Sequence, residues 1–116
     1  MKVYIDDIRD PAKHLTAEQS EGIIWLKEWW EAKNFLYANE AEIEVIHFDH
    51  FLGHPRHTGG DLFLMVAYRF ERGKMFGKLK KIYLHSSDRS IVDKLMDKKE
   101  MLAEQGVELI KNCNRN

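Results

Sequence analysis

The sequence contains a single cysteine, Cys113, which argues against a disulfide framework and against a metal site built from cysteines. It has no run of about 20 apolar residues, so we expect no membrane-spanning helix. Its first residues also lack the apolar core of a signal peptide. The formal net charge is only −1, which excludes a uniformly basic nucleic-acid-binding domain but not a local basic face. Together these absences predict a cytoplasmic protein.

The composition is typical of one globular domain. Of the 116 residues, 44% are hydrophobic and 32% are charged, which excludes a disordered chain. A chain of this length can bury roughly two thirds of its unfolded surface around a single core. Because no internal repeat, low-complexity stretch or linker interrupts the sequence, we expect residues 1–116 to form a single domain.

Five short segments rich in β-branched and aromatic residues have the pattern of buried strands. They are residues 2–5, 23–26, 43–48, 82–84 and 107–110. Amphipathic helical patterns lie between the later strands, over residues 28–39, 61–72 and 89–105. Residues 12–21 are polar and weakly patterned, so a first helix there would be degenerate. Strands that alternate with helices predict an α/β fold, a small doubly wound parallel sheet of five strands.

Capping residues support these boundaries. Asn39 and Gly106 are suited to end two of the helices, and Thr58 or Asp61 is available to begin the third. Pro11 favours extended backbone in the residue before it and should prevent a helix directly after the first strand.

Polar residues follow four of the five strands, and in an open parallel sheet the carboxyl ends of the strands form the ligand-binding edge. These residues are Asp6 and Asp7, Asp49 and His50, His85 with Ser86 and Ser87, and Lys111. Three carboxylates crowded together repel one another unless a cation intervenes, and oxygen ligands suit Mg²⁺ or Mn²⁺. Lys111 and Ser86 would then bind phosphate oxygens. The alternative is that Asp6 or Asp7 caps the next segment and that Asp49 orders its loop.

Four short motifs carry a resemblance to a known family. Residues 5–11 read IDDIRDP, residues 48–53 read FDHFLG, residues 58–62 read TGGDL and residues 85–88 read HSSD. They resemble the LDDxRxP, SLDHDLG, TGxDL and HSxN motifs of cyclic-phosphate processing receiver domains, a group of the response-regulator receiver superfamily that is frequent in bacteria and phages. The resemblance spans roughly residues 3–111. It implies receiver (flavodoxin-like) topology with strand order 2-1-3-4-5, and a metal held by Asp6, Asp7 and Asp49.

The sequence also departs from the family pattern. Phe51 stands where the group usually has an acid, and His47 replaces a small residue. Asn112 follows Lys111 where a signalling receiver usually has proline. The first helix, which signalling receivers use to dock their kinase, is also degenerate. The aspartates alone would suggest a phosphorelay role, but these departures make that role less favoured.

The histidines fit phosphate-ester chemistry better than signalling. Opening a cyclic phosphate requires proton transfers, and His50 and His85 have side chains suited to them. Arg9 could clamp a phosphate or merely neutralise Asp10. His85 could instead be a strand-end histidine bonded to the backbone, and His57 a solvent-facing loop residue.

The tryptophans Trp25, Trp29 and Trp30 fit a core or groove wall, although one could stack on a base.

From the carboxylates, the histidines and the family resemblance, we expect a divalent-metal-dependent phosphoesterase whose partner is a small phosphorylated nucleotide-type ligand. The alternative is a non-catalytic, receiver-derived module that binds a phosphorylated ligand or a protein, a host factor if the chain is phage-encoded. The sequence gives no membrane signal and no strong nucleic-acid signal.

Overall fold

A computed structural model of the protein describes residues 1–49, 56–72, 76–86 and 88–112, with only the main chain of residue 112. Five parallel strands form one sheet, and they pair in the order β2-β1-β3-β4-β5. The strands are β1 (Lys2–Ile5), β2 (Ile24–Leu26), β3 (Val45–Asp49), β4 (Lys81–His85) and β5 (Glu108–Asn112). This confirms the predicted α/β fold with receiver topology.

The helices lie between the strands. They are α1 (Pro11–His14), α2 (Ala17–Ser20), α3 (Trp29–Ala38), α4 (Gly59–Glu71), α5 (Arg89–Leu95) and α6 (Lys99–Glu104), with a 3₁₀ turn at Met96–Lys98 between the last two. None of the helices in the described ranges is long and apolar enough to cross a membrane.

The first connection is degenerate, as predicted, but it is not devoid of helix. Two four-residue helices lie between β1 and β2. Asp10 is extended, as expected before proline, yet its side chain accepts a hydrogen bond from the Ala12 amide and caps α1. Because proline is tolerated at the first helical position, Pro11 begins this helix instead of preventing it.

Several other boundaries differ by one or two residues from the sequence-based expectation, and the last helix and the last strand differ in a way that changes their description. The helix expected over residues 89–105 is divided by the 3₁₀ turn into α5 and α6. The last strand continues through Asn112, because His85 of β4 pairs with Asn112 in register. Lys111 therefore lies inside β5 instead of following it.

One face of the sheet forms the apolar core. Val3, Ile46 and Ile82 are register neighbours on β1, β3 and β4, and each is fully buried. The helices α3, α4 and α6 contribute the buried side chains that pack with this face, among them Leu36, Leu62, Phe63, Val66 and Leu102. Truncating one of these large side chains to alanine typically costs about 2–5 kcal/mol.

The other face of the sheet is different in character. Side chains alternate between the two faces of a strand, so Tyr4, His47 and Tyr83 lie opposite the core residues that precede them. These three residues are also register partners across β1, β3 and β4. Tyr4 and His47 are each 1% exposed. A row of polar aromatic side chains therefore runs across the middle of the sheet, and in it Tyr4 and His47 are buried whereas Tyr83 is half-buried.

Candidate metal and phosphate site

Three carboxylates meet at the carboxyl edge of the sheet, as the sequence predicted. Asp6, Asp7 and Asp49 each offer one oxygen, and these oxygens lie within 4.8 Å of one another. Asp6 directly follows β1 and Asp49 ends the neighbouring β3, where Ile5 pairs with Phe48 in register. The parallel pairing of β1 with β3 is therefore what brings the cluster together.

Asp6 is fully buried and has several hydrogen-bond donors around it. Its Oδ1 accepts from the amides of Ile8 at 3.0 Å and Arg9 at 3.1 Å. Its Oδ2 accepts from the Tyr4 hydroxyl at 3.4 Å. Asp6 thus orders the turn that follows β1, which was the alternative considered from the sequence, and at the same time contributes to the acidic cluster.

The carboxyl of Asp7 is affected both by burial and by the charges of its neighbours. Burial raises the pKa of the Asp7 carboxyl above its usual value, and the charge of Asp6 raises it further. The Asp7 and Ile8 amides and the Arg9 guanidinium act in the opposite direction and lower this pKa. Arg9 therefore exerts its positive charge on Asp7. Its role as a phosphate clamp stays a prediction.

The donor set fits a hard divalent cation. All three groups of the cluster are carboxylates, which Mg²⁺ and Mn²⁺ prefer over nitrogen or sulfur ligands. A cation would also relieve the repulsion that contributes to the raised pKa of Asp7. The residues present are therefore suited to hold such an ion.

His85 is buried, 3% exposed, and it does not stand alone. Its Nε2 lies 2.8 Å from Nδ1 of His47, a hydrogen-bonding distance between two imidazoles. His85 also pairs in register with Asp49, one strand away. The catalytic role of His85 stays a prediction, but the structure places the residue beside the acidic cluster.

Sequence reasoning did not assign a site role to His47 or Tyr4. Both lie two residues before an acidic residue of the cluster, His47 before Asp49 and Tyr4 before Asp6. Because side chains two apart on a strand share a face, this alternation is the signal that could have identified them.

The predicted phosphate-binding residues have other contacts in the structure. Ser86 is buried, and its Oγ accepts a hydrogen bond from the Asp88 amide at 3.0 Å. The Lys111 amine forms an exposed ion pair with Asp93 at 3.2 Å. Their binding of phosphate stays a prediction. His50, the second predicted catalytic histidine, lies outside the described residues, as do Phe51 and Ser87.

Of the three tryptophans, Trp25 contacts a residue of the acidic cluster. The Trp25 indole Nε1 donates to the main-chain oxygen of Asp6 at 2.7 Å. Trp29 is buried, and its Nε1 donates to the main-chain oxygen of Thr58 at 3.1 Å. Trp30 is half-exposed. The His57 ring packs against Trp29, with centroids 4.5 Å apart, so His57 is half-buried instead of solvent-facing.

The family of the chain follows from its sequence. A family model described as cyclic-phosphate processing receiver domain matches residues 1–110, nearly the whole chain. The chain belongs to this family. Searches of curated proteins and of solved structures gave no significant match.

Membership of this family agrees with both the sheet and the acidic cluster of the structure. The sheet of this chain has five parallel strands, and their order is that of a receiver domain. The acidic cluster lies at the edge where such a sheet binds its ligands. The chain is thus a receiver-like domain associated with cyclic-phosphate processing.

Proposed function

We propose that this domain is a divalent-metal-dependent phosphoesterase that acts on a cyclic or nucleotide-derived phosphate. The observation that carries the proposal is the cluster of Asp6, Asp7 and Asp49 beside the buried His85. A site with only a metal-binding role would not need an imidazole next to the carboxylates. A hydrolase needs groups that exchange protons with water and with the leaving oxygen.

Asp6, Asp7 and Asp49 would hold Mg²⁺ or Mn²⁺, which supplies positive charge to the phosphoryl oxygens. Arg9 adds a second positive charge next to Asp7 and can donate to a phosphoryl oxygen. Because the Ser86 Oγ acts as an acceptor toward the Asp88 amide, its own O–H is left to donate to phosphate.

Lys111 can also serve the phosphate. Its ion pair with Asp93 is exposed, and such pairs contribute only about 0–1 kcal/mol. A phosphate dianion can therefore compete with Asp93 for the amine at little cost.

The reaction assigned to the site is hydrolysis of a cyclic phosphodiester. The oxygen of a water molecule bonds to phosphorus, and one ring P–O bond breaks. The water gives up one proton, and the departing sugar oxygen takes one, which leaves a phosphomonoester and a free hydroxyl. We assign these two proton transfers to His50 and His85.

The experiment is direct. The protein is incubated with 2′,3′-cyclic nucleotides and with ADP-ribose-type cyclic phosphates, with and without Mg²⁺ or Mn²⁺, and products are followed by ³¹P NMR. We expect turnover that requires the metal and is lost in Asp49→Asn and His85→Ala. Asp97→Asn, an exposed carboxylate on the 3₁₀ turn, is the matched control and should retain activity. No turnover of either substrate class by a folded protein would refute the proposal.

A second candidate is a module that binds a phosphorylated ligand or a protein partner without turnover. The contact between His85 and His47 favours it, since the predicted proton-transfer group already has a partner within the protein. This candidate predicts a thermal shift with cyclic nucleotide but an unchanged ligand in the ³¹P spectrum. A protein-binding role would instead survive simultaneous neutralisation of Asp6, Asp7 and Asp49.

A further inference from the structure

Helices α3 and α4 carry most of the large apolar side chains that the described part of the chain exposes. Of the five such residues, four lie on these two helices, Trp30 and Tyr37 on α3 and Leu64 and Tyr68 on α4. Tyr68 is 55% exposed. Single exposed apolar side chains are ordinary, but a concentration of them on one pair of helices indicates a contact surface.

Two of these residues share a groove between α3 and α4. The groove has a volume of about 370 Å³, and it is lined by Tyr37, Met65, Tyr68, Arg69 and Arg72. Tyrosine, methionine and arginine are enriched in protein–protein interfaces, and tyrosine and arginine are frequent among the residues that dominate binding energy. The residue types of this groove are therefore those of a protein-docking site.

The two arginines of the groove rest on its two tyrosines. The guanidinium carbon of Arg69 lies 4.9 Å from the centroid of the Tyr37 ring, and that of Arg72 lies 5.2 Å from the centroid of Tyr68. Arg72 also donates a hydrogen bond from Nη1 to the Tyr68 hydroxyl at 2.7 Å. A planar guanidinium held in this way loses little freedom when it binds an anion.

The charge of the groove is positive. Glu40 pairs with Arg69 at 2.8 Å and compensates that guanidinium. The preceding neighbour of Arg72 in the chain, Glu71, pairs instead with Lys98 at 2.9 Å. Arg72 itself forms no ion pair with any of the described residues. An acidic group that enters the groove would therefore meet a cation whose charge is not yet compensated.

The groove lies far from the acidic cluster. A helix that follows a parallel strand begins near the carboxyl edge of the sheet and runs back toward the amino edge. Tyr37 lies near the end of α3, and Arg69 and Arg72 lie at the end of α4. Because an α-helix rises 1.5 Å per residue, Arg72 lies roughly 20 Å along the axis from Thr58, which caps the start of α4. A partner can therefore occupy the groove while the carboxyl edge stays open.

We propose that the groove between α3 and α4 is a docking site for an acidic segment of a partner protein. A carboxylate of the partner binds Arg72, and an apolar side chain beside it packs against Tyr37, Met65 and Tyr68. The inference does not require the proposed catalytic function, because the groove shares no residue with the site at the carboxyl edge.

The charges of the two helices favour a protein over a nucleic-acid strand. A strand needs a positively charged groove that follows its phosphates. Within α3 and α4, however, the basic residues are only Lys33 and Arg69, whereas Glu31, Asp61 and Glu71 are acidic. The positive charge is thus local, which suits one carboxylate better than a row of phosphates.

Three variants separate the groove from the rest of the surface. Arg72→Glu reverses the charge that the partner requires, and Tyr68→Ala removes the ring on which Arg72 rests. Both residues are exposed, so the variants should fold. Arg89→Glu makes the same change of charge at an exposed arginine of α5 that also has no ion pair with the described residues, and it is the matched control.

The first measurement uses a phage-displayed library of random peptides, selected in parallel on the wild-type protein and on Arg72→Glu. We expect the peptides enriched only on the wild type to carry Asp or Glu beside an aromatic or aliphatic residue. Enrichment of peptides without an acidic residue, or no enrichment over Arg72→Glu, would overturn the inference.

The second measurement is the affinity of the synthetic consensus peptide, determined by isothermal titration calorimetry. Arg72→Glu and Tyr68→Ala should each raise the Kd by about 10–100-fold, and Arg89→Glu should leave it unchanged. An equal loss of affinity in Arg89→Glu would show that only the net charge matters and would refute the docking site. If Arg72→Glu does not fold, full affinity in the folded Tyr68→Ala would overturn the inference, and a loss of affinity there would support it.

Two control measurements identify the other occupants that the groove could take. A fluorescein-labelled oligo(dT) that binds the wild type more tightly than the peptide does, and that Arg72→Glu no longer binds, would assign the groove to single-stranded nucleic acid. Self-association of the wild type in sedimentation, lost in Arg72→Glu, would assign it to a second copy of this chain. Either result would overturn the inference, whereas a monomer that binds the peptide more tightly than oligo(dT) would support it.

Discussion

The indole Nε1 of Trp25 donates a 2.7 Å hydrogen bond to the main-chain oxygen of Asp6. The main-chain nitrogen of Asp6 donates in turn to the oxygen of Leu26 at 3.1 Å. Both partners belong to β2, so the amide and the carbonyl of Asp6 are fixed by the same edge strand. The β2 strand therefore holds the first acidic residue in place independently of any bound ion.

Trp25→Phe tests this anchoring. The change removes the indole N–H and leaves the Asp6 oxygen without that donor, which should lower the free energy of unfolding by about 1–3 kcal/mol. It should also weaken Mn²⁺ binding, measured by isothermal titration calorimetry, because the turn carrying Asp6 and Asp7 loses a fixed point. Trp30→Phe, at a half-exposed position, is the control and should change stability by less than about 0.5 kcal/mol. A loss of stability with unchanged Mn²⁺ affinity would contradict the role of β2 in the site.

Asp7→Asn should make the metal-free protein more stable at neutral pH. Burial and the charge of Asp6 raise the pKa of Asp7, so the folded protein holds this proton more tightly than the unfolded chain does. The ionised carboxylate therefore costs stability once the pH exceeds the folded pKa, and that cost disappears as the pH falls below the usual value of 3.8. Asparagine removes the charge. The expected result is a higher Tm at pH 7.5 without metal, together with loss of the Tm increase on adding Mg²⁺.

The raised pKa of Asp7 also predicts how metal binding depends on pH. Protons compete with Mg²⁺ for Asp7, so the Mg²⁺-induced rise in Tm should begin to shrink at a higher pH than it would with an aspartate whose pKa is the usual 3.8. Asp97→Asn should behave like the wild type, since Asp97 is exposed on the 3₁₀ turn. A Tm of Asp7→Asn below that of the wild type without metal would show that the charge of Asp7 does not destabilise the fold.

Most of the fold could be predicted because it depends on local patterns. The alternation of apolar strands with amphipathic helices specifies a parallel sheet, and the caps at Thr58, Asn39 and Gly106 are read from single residues. The break at Met96–Lys98 was missed because Leu95, Met96 and Met101 are all compatible with a continuous helix. The short helix at Pro11 was missed because a proline that cannot continue a helix can still begin one.

The site was predictable only in part, for a different reason. Strand-end position was enough to bring Asp6, Asp7 and Asp49 together, because parallel strands share an edge. The partner of His85 depends on register, since His47 meets it from the adjacent strand. Register between β3 and β4 is set by tertiary packing, which no local pattern reports. The ion pair of Lys111 with Asp93 likewise joins β5 to α5 and depends on how the helix packs.

Gly106→Ala should destabilise the protein by about 1–2 kcal/mol. Gly106 has a φ of 83°, which side chains other than glycine rarely adopt. It ends α6 in a Schellman arrangement, in which its amide donates to the oxygen of Ala103 and the Val107 amide donates to that of Leu102. Gly77→Ala is the matched control, because its φ is ordinary and an added Cβ meets open space. Urea unfolding of both variants checks the prediction, and equal effects would show that backbone strain is not the cause.

Thr58→Ala should cost about 1 kcal/mol, more than the same change at Thr16. Both threonines form complete capping boxes, Thr58 with Asp61 and Thr16 with Gln19. However, α4 has 13 residues and buries seven of them, whereas α2 has four residues and buries none. Losing a cap on a packed helix lowers the stability of the whole fold, while a short exposed helix can fray locally at little cost to the rest. Guanidinium unfolding of the two variants measures the difference, and a larger loss for Thr16→Ala would mean that the β1–β2 connection is more tightly integrated into the fold than its exposure indicates.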